Sequence, residues 1–171
     1  IFTEYNHNVA QILITSPDIE DENRKTNFHN TLERLLELGV LPIINENDTV
    51  STDEIEIGDN DTLSAIVTAN INADLLVLLS DIDGLYDKDP HKFDDAKLIE
   101  RVEEINEDIL KLAGDKGSSL GTGGMVTKLQ AAKICLDCNC EMIISNGSRP
   151  ENLYDIMDGM EIGTKFTGVK V

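Results

Sequence analysis

Leu75-Leu76-Val77-Leu78-Leu79 is apolar at every position. A strand built from such a run has no polar face to offer water, so both of its faces must be covered. Parallel sheets flanked by helices provide that cover. Around this run, strand-like and helical patterns alternate. Val9–Thr15 reads as a strand and Thr26–Leu38 as a helix with Phe28, Leu32, Leu35 and Leu36 on one face, closed by Gly39. Leu41–Ile44 is a short buried strand, Asp61–Asn70 a helix, and Leu75–Leu79 the next strand. Asn106–Ala113 and Val126–Cys138 are helices, Met142–Ser145 is a strand, and Pro150–Met157 is a short helix with Pro at its start. The cluster Asp18-Ile19-Glu20-Asp21-Glu22 reads as a solvated loop and helix start. This alternation implies an α/β domain with a mainly parallel sheet and right-handed crossovers. With no internal repeat or linker, residues 1–171 are expected to lie within a single domain.

Open parallel sheets bind ligands beyond the carboxyl ends of their strands, and three strand ends here run into polar clusters. They are Asn45-Glu46-Asn47-Asp48, Ser80-Asp81-Ile82-Asp83-Gly84 and Ser145-Asn146-Gly147. A further cluster, Gly58-Asp59-Asn60-Asp61, precedes the helix at Thr62. One helix cap needs only one Asp or Asn, so the surplus is available to fix a ligand ammonium or to orient a lysine. Between the first and last of these clusters, Thr49–Ile57 is polar, acidic and short of turn residues, as a substrate loop would be.

Gly121-Thr122-Gly123-Gly124-Met125-Val126-Thr127-Lys128 leads a glycine-dense loop into a helix, with Lys128 expected in its first turn. Unpaired amides and the positive end of the helix dipole make that a poor place for a cation unless an anion joins it, and phosphate is the natural guest. The loop is neither common phosphate motif: Gly-Lys is nowhere followed by Ser or Thr, and Val126 stands where the dinucleotide fingerprint needs its third glycine.

Fourteen basic against 33 acidic residues give a net charge of −19. That argues against nucleic acid or an anionic membrane as partner. Phosphate binding would then need local lysine, amides and a divalent cation to reverse the global field. Short-range forces can do so, since a pair about 4 Å apart gains about 4 kcal/mol at an effective dielectric near 20. No apolar stretch approaches the roughly 20 residues of a membrane span. Cys135, Cys138 and Cys140 lack a nearby fourth ligand for a metal site, and Cys135 and Cys138 share a helical stripe with Ala131 and Ala132. Core packing in a reducing cytosol is the expectation. His7, His29 and His91 show no partner pattern and read as surface residues.

Leu41 through Asp48, Gly58 through Ala65, Leu79 through Tyr86 and Gly121 through Lys128 occur in this order. Together they closely resemble the amino-acid kinase family, over about Val9 to Phe166. The resemblance implies a three-layer sandwich on a mainly parallel central sheet. It implies ATP-dependent phosphorylation of the γ-carboxylate of L-glutamate, a first step of proline biosynthesis, with Mg2+ as cofactor. It also implies a cytoplasmic homo-oligomer open to feedback inhibition by proline. By the same resemblance Asp48 and Asn60 would bind glutamate, and Asp61 would organise catalytic lysines. Ser80, Asp81, Thr122, Gly123, Gly124, Met125, Val126, Thr127 and Lys128 would hold the nucleotide, Lys128 acting on the transferring phosphoryl group. No general base is expected, since a carboxylate is already a competent nucleophile.

The family's domain opens with a strand and a lysine-bearing glycine turn, then a second glycine-rich turn carrying a serine; neither occurs here. The chain starts at Ile1 and is expected to be the C-terminal part of one kinase domain. Alone it is expected to be inactive or nearly so, with no RNA-modification-type domain after Val171. Carbamate, aspartate, acetylglutamate and uridylate kinases share the fold and stand as alternatives, as does a non-catalytic binding module.

Overall fold

The computed structural model describes residues 2–50, 57–114 and 124–168. It divides into two compact units, residues 1–63 and 64–171, with the helix at Asn60–Asn70 crossing the boundary.

In the first unit a 3-10 turn at Phe2–Tyr5 leads into β1 (Asn8–Ile14), α1 (Ser16–Glu20), α2 (Glu22–Glu37) and β2 (Val40–Glu46). β1 and β2 pair in parallel from Asn8↔Val40 to Ile14↔Glu46. Where a loop and helix start were expected there are two helices meeting at Asp21, and each start is dictated locally. The Thr15 amide and hydroxyl both donate to the Asp18 carboxylate, at 2.9 and 2.7 Å. Asp21 Oδ1 then accepts the amides of Asn23 and Arg24, satisfying donors that the first turn of α2 cannot pair internally. Gly39, at φ 67°, ends α2 as expected. Phe28 and Leu32 are buried, but Leu36 is 53% exposed, contrary to its expected place on that face. At 3.6 residues per turn Leu36 lies about 80° around the helix from Phe28, off the edge of the stripe.

The second unit holds the rest of α3 (Asn60–Asn70), then β3 (Leu75–Ser80), β4 (Arg101–Val102), α4 (Glu107–Leu112), α5 (Gly124–Asp137), β5 (Glu141–Asn146), α6 (Asn152–Met157) and β6 (Thr164–Phe166). Its sheet runs β3-β5-β6-β4. β3–β5 and β4–β6 are parallel and β5–β6 is antiparallel. The fold is α/β with mainly parallel strand pairing, as expected, and β5–β6 is the antiparallel exception among the named strands. The core gathers Leu78, Met142, Ile144 and Phe166 from the sheet with Leu129, Ala131, Ala132 and Cys135 from α5. Cys135 and Cys140 are fully buried and Cys138 partly so, which bears out their packing role. Burial pushes the Cys135 thiol up to about 12.

Two close approaches lock β6 to its surroundings. Thr164 is fully buried; its hydroxyl accepts the Leu85 amide at 2.8 Å and donates to the Ile99 carbonyl at 2.6 Å. Gly163 has φ 75°, and a Cβ there would run into the Ile144 carbonyl oxygen. No described helix is long and apolar enough to cross a membrane.

Candidate functional site

The carboxyl ends of β3 and β5 lie side by side, with Ser80 and Asn146 as register partners. Beyond them the loops are tied together. The Gly147 amide donates to the Ser80 carbonyl at 2.7 Å. Asn146 Nδ2 donates to Asp83 Oδ1 at 2.8 Å, and the Tyr86 hydroxyl donates to Asp83 Oδ2 at 3.1 Å. Burial, and then the Asp83 carboxylate it serves, raise the Tyr86 hydroxyl above its ordinary 10.0. Ser80 Oγ donates to Asp81 Oδ1 at 3.1 Å, and Asp81 and Asp83 are exposed. Two of the three polar strand ends therefore form one continuous surface. The third, at β2, closes the other sheet instead, beside the end of β1.

α5 begins at Gly124, where the Thr127 hydroxyl returns to the Gly124 carbonyl at 2.9 Å. Lys128 is thus in the second turn, not the first. Its amide is past the four that lack helical partners. Helical side chains lean back toward the N-terminus, so it covers the first turn all the same. Lys128 is buried, 9% exposed, which is unusual for a lysine. No acidic residue stands in the first turn of α5, so its own sequence leaves the positive dipole end unanswered by a carboxylate. Met125, Val126 and Thr127 occupy that turn, whereas Thr122 and Gly123 lie outside the described residues.

In the first unit, the Asn47 amide donates to the Ile14 carbonyl at 2.8 Å, and the Thr49 hydroxyl to Asn47 Oδ1 at 2.6 Å. This turns the chain sharply after β2 and leaves Asp48 exposed. Asp59 caps α3: its carboxylate accepts the Thr62 amide at 2.7 Å and the Thr62 hydroxyl at 2.8 Å. With the cap supplied by Asp59, Asn60 and Asp61 are the surplus polar residues that the sequence pattern marked. Most of the Thr49–Ile57 loop lies outside the described residues.

Sequence reasoning assigned no role to Glu46, Asp83, Tyr86 or Asn146. The available signals are the polar strand ends, which hold Glu46, Asp83 and Asn146, and the segments that carry the family resemblance, which hold Glu46, Asp83 and Tyr86. Glu46 is buried, and its Oε1 accepts the Ile57 amide at 2.8 Å. Among the described residues no group of three or more His, Cys, Asp or Glu could hold a metal ion. His29 reaches Glu33 at 3.3 Å on the face of α2, and His7 and His91 are exposed.

The amino acid kinase family matches residues 1–146. A glutamate 5-kinase of Thermoanaerobacter sp. strain X514 is 52% identical over 99% of this chain and 45% of its own length. One from Clostridium perfringens strain 13 is 51% identical over 99% of this chain and 64% of its own. The chain thus spans about half to two thirds of these relatives. Among solved structures, a carbamate kinase from Giardia lamblia bound to AMP-PNP aligns with a TM-score of 0.66 at 19% identity, over 98% of this chain and 65% of that one. An α/β scaffold with polar strand ends and a glycine-led helix, matched along most of its length, places this chain in the amino acid kinase family.

Proposed function

We propose that the protein containing these residues transfers the γ-phosphoryl group of ATP to the γ-carboxylate of L-glutamate, giving γ-glutamyl phosphate and ADP. The observation that carries this reading is the 52% identity, over nearly the whole chain, to a protein named glutamate 5-kinase. The geometry supports it: a buried lysine behind a helix N-terminus, and polar strand ends where α/β folds bind ligands.

In the reaction a γ-carboxylate oxygen attacks the γ-phosphorus. The new C–O–P linkage forms as the bond from that phosphorus to the β,γ-bridging oxygen breaks, and ADP carries away the electron pair. No proton has to be removed from the nucleophile, so positioning and charge neutralisation do most of the work. Asp48 and Asn60 hold glutamate, Asp48 facing its α-ammonium. Asp61 orients lysine. Ser80, Asp81 and the segment Thr122–Lys128 hold the nucleotide, and Lys128 with the amides of the first turn of α5 neutralises the equatorial oxygens. Mg2+ is the divalent cation such a reaction would use, arriving with the nucleotide. An ion that enters with ATP would supply further charge neutralisation beside Lys128.

The 171 residues would form the C-terminal part of one three-layer kinase domain, with little or no activity by themselves. The full protein would be a cytoplasmic homo-oligomer subject to feedback inhibition by proline. An acceptor panel tests the reading: ADP release by the full-length protein with L-glutamate, aspartate, N-acetylglutamate, carbamate and UMP. Turnover with glutamate at least about a hundredfold above the others is expected, since one missing methylene is worth roughly 10- to 200-fold and a lost hydrogen-bonding group more. Preference for another acceptor, or nucleotide uptake without turnover, would overturn it.

A further inference from the structure

We infer that Glu46 is a positioning residue for the acceptor site, holding Asn60 and Asp61 in fixed relation to the strand that leads to Asp48. The inference rests on the glutamate kinase reading above. Glu46 is the last residue of β2, on the inward-facing side of its alternation with Val40, Pro42 and Ile44. An aliphatic side chain would suit that place, and burying a carboxylate there is costly unless strong hydrogen bonds compensate. What the carboxylate supplies is an acceptor for the backbone. Its Oε1 takes the Ile57 amide at 2.8 Å, across a separation of 11 residues. A carboxylate acceptor makes a shorter and stronger bond than a neutral one.

Each neighbour of that bond is itself fixed. On one side, Glu46 pairs with Ile14 at the end of the β1–β2 ladder, and the next amide, Asn47, donates to the Ile14 carbonyl. On the other side, Ile57 leads into Gly58 at φ 92°, a left-handed turn that glycine accepts without strain. Asp59 follows directly as the cap of α3. Position is therefore passed from β2 through Glu46 to Ile57, through the Gly58 turn to the cap, and so to Asn60 and Asp61. Errors of about 1 Å in such a placement can cost on the order of a hundredfold in rate or affinity.

The test is steady-state kinetics on the full-length protein with Glu46→Ala, Glu46→Gln and Ile57→Pro. The Gln variant keeps an oxygen acceptor, and Pro at 57 removes the donated hydrogen without touching Glu46. We expect Glu46→Ala and Ile57→Pro each to raise the KM for glutamate tenfold or more and leave the KM for ATP within about twofold, the Gln variant lying within about threefold of wild type on both. Should Glu46→Ala fail to fold, Glu46→Asp, which withdraws the oxygen by one methylene, reads the same quantity. A glutamate KM unchanged in Ile57→Pro or Glu46→Asp, or equal rises in both KM values, would overturn the positioning role. Wild type that turns over no glutamate would instead overturn the kinase reading, so the two failures are distinguishable.

Discussion

A lysine with 9% of its surface exposed is held in the body of α5 rather than displayed on it. Burial would strengthen an interaction of the ammonium with a developing phosphoryl charge, because little water remains to screen it. On this account Lys128→Ala depresses kcat about a hundredfold to a thousandfold while the KM for glutamate changes little. Lys128→Met keeps the stem's packing and should lose the same kcat with its thermal midpoint near wild type, so steady-state kinetics beside a melting curve separates charge from packing. A selective rise in the glutamate KM would count against the role. The glycine-rich run announced this lysine but misplaced it by one turn, since Gly124 already belongs to the helix. Gly163 makes a second residue-level case. Its φ of 75° and the Ile144 carbonyl leave no room for a methyl group. Gly163→Ala should lower stability by more than about 2 kcal/mol, read as a shift in the denaturant midpoint; a midpoint within error of wild type would contradict that contact.

Elements with strong patterns were legible; those without were not. β3 declared itself by five apolar residues in a row, and α2 by Phe28 and Leu32 with Gly39 at its end. β4 and β6, two and three residues long, are too short for any periodicity. The antiparallel β5–β6 pairing is a tertiary choice that no local pattern encodes. α1 is hard to read because its acidic run resembles a solvated loop, although Asp21 is the cap of α2 and Asp18 completes the capping box that Thr15 opens on α1. The Thr15 hydroxyl, the strongest influence, holds the Asp18 carboxyl below its ordinary 3.8, against a cost of burial and with help from the Thr15 amide and Arg24. A lowered folded-state value means that this stabilisation is present above pH 3.8 and is lost as pH falls through the lower folded value. Asp18→Asn should therefore flatten the stability curve in that acid range, and Thr15→Ala should cost about 1 kcal/mol at neutral pH. The α5–β5 layer offers its own check. With Cys135 pushed up to about 12 and Cys140 buried, a thiol reagent at pH 8 should label Cys138 well ahead of the others in the folded protein and all three after unfolding. Early labelling of Cys135 would show that the layer is looser than described.

At the scale of the whole chain, the proposed function sets polyanionic ATP against a net charge of −19. The global field opposes this, so the attraction has to be short-ranged and concentrated at one helix start. Composition shows the conflict, and on the proposed reading the glycine–lysine segment is where it would be resolved. Which side chains tie the strand ends together could be read only from the folded chain, because Asp83 and Asn146 are 63 residues apart. The most direct measurement is hydroxylamine trapping in the full-length protein. An acyl phosphate formed from glutamate is captured as a hydroxamate, and the position of that hydroxamate reports which carboxyl was phosphorylated. The account predicts ATP-dependent γ-glutamyl hydroxamate in wild type and about a hundredfold less in Lys128→Ala. Nucleotide binding with no hydroxamate, or equal yields from the two proteins, would contradict it.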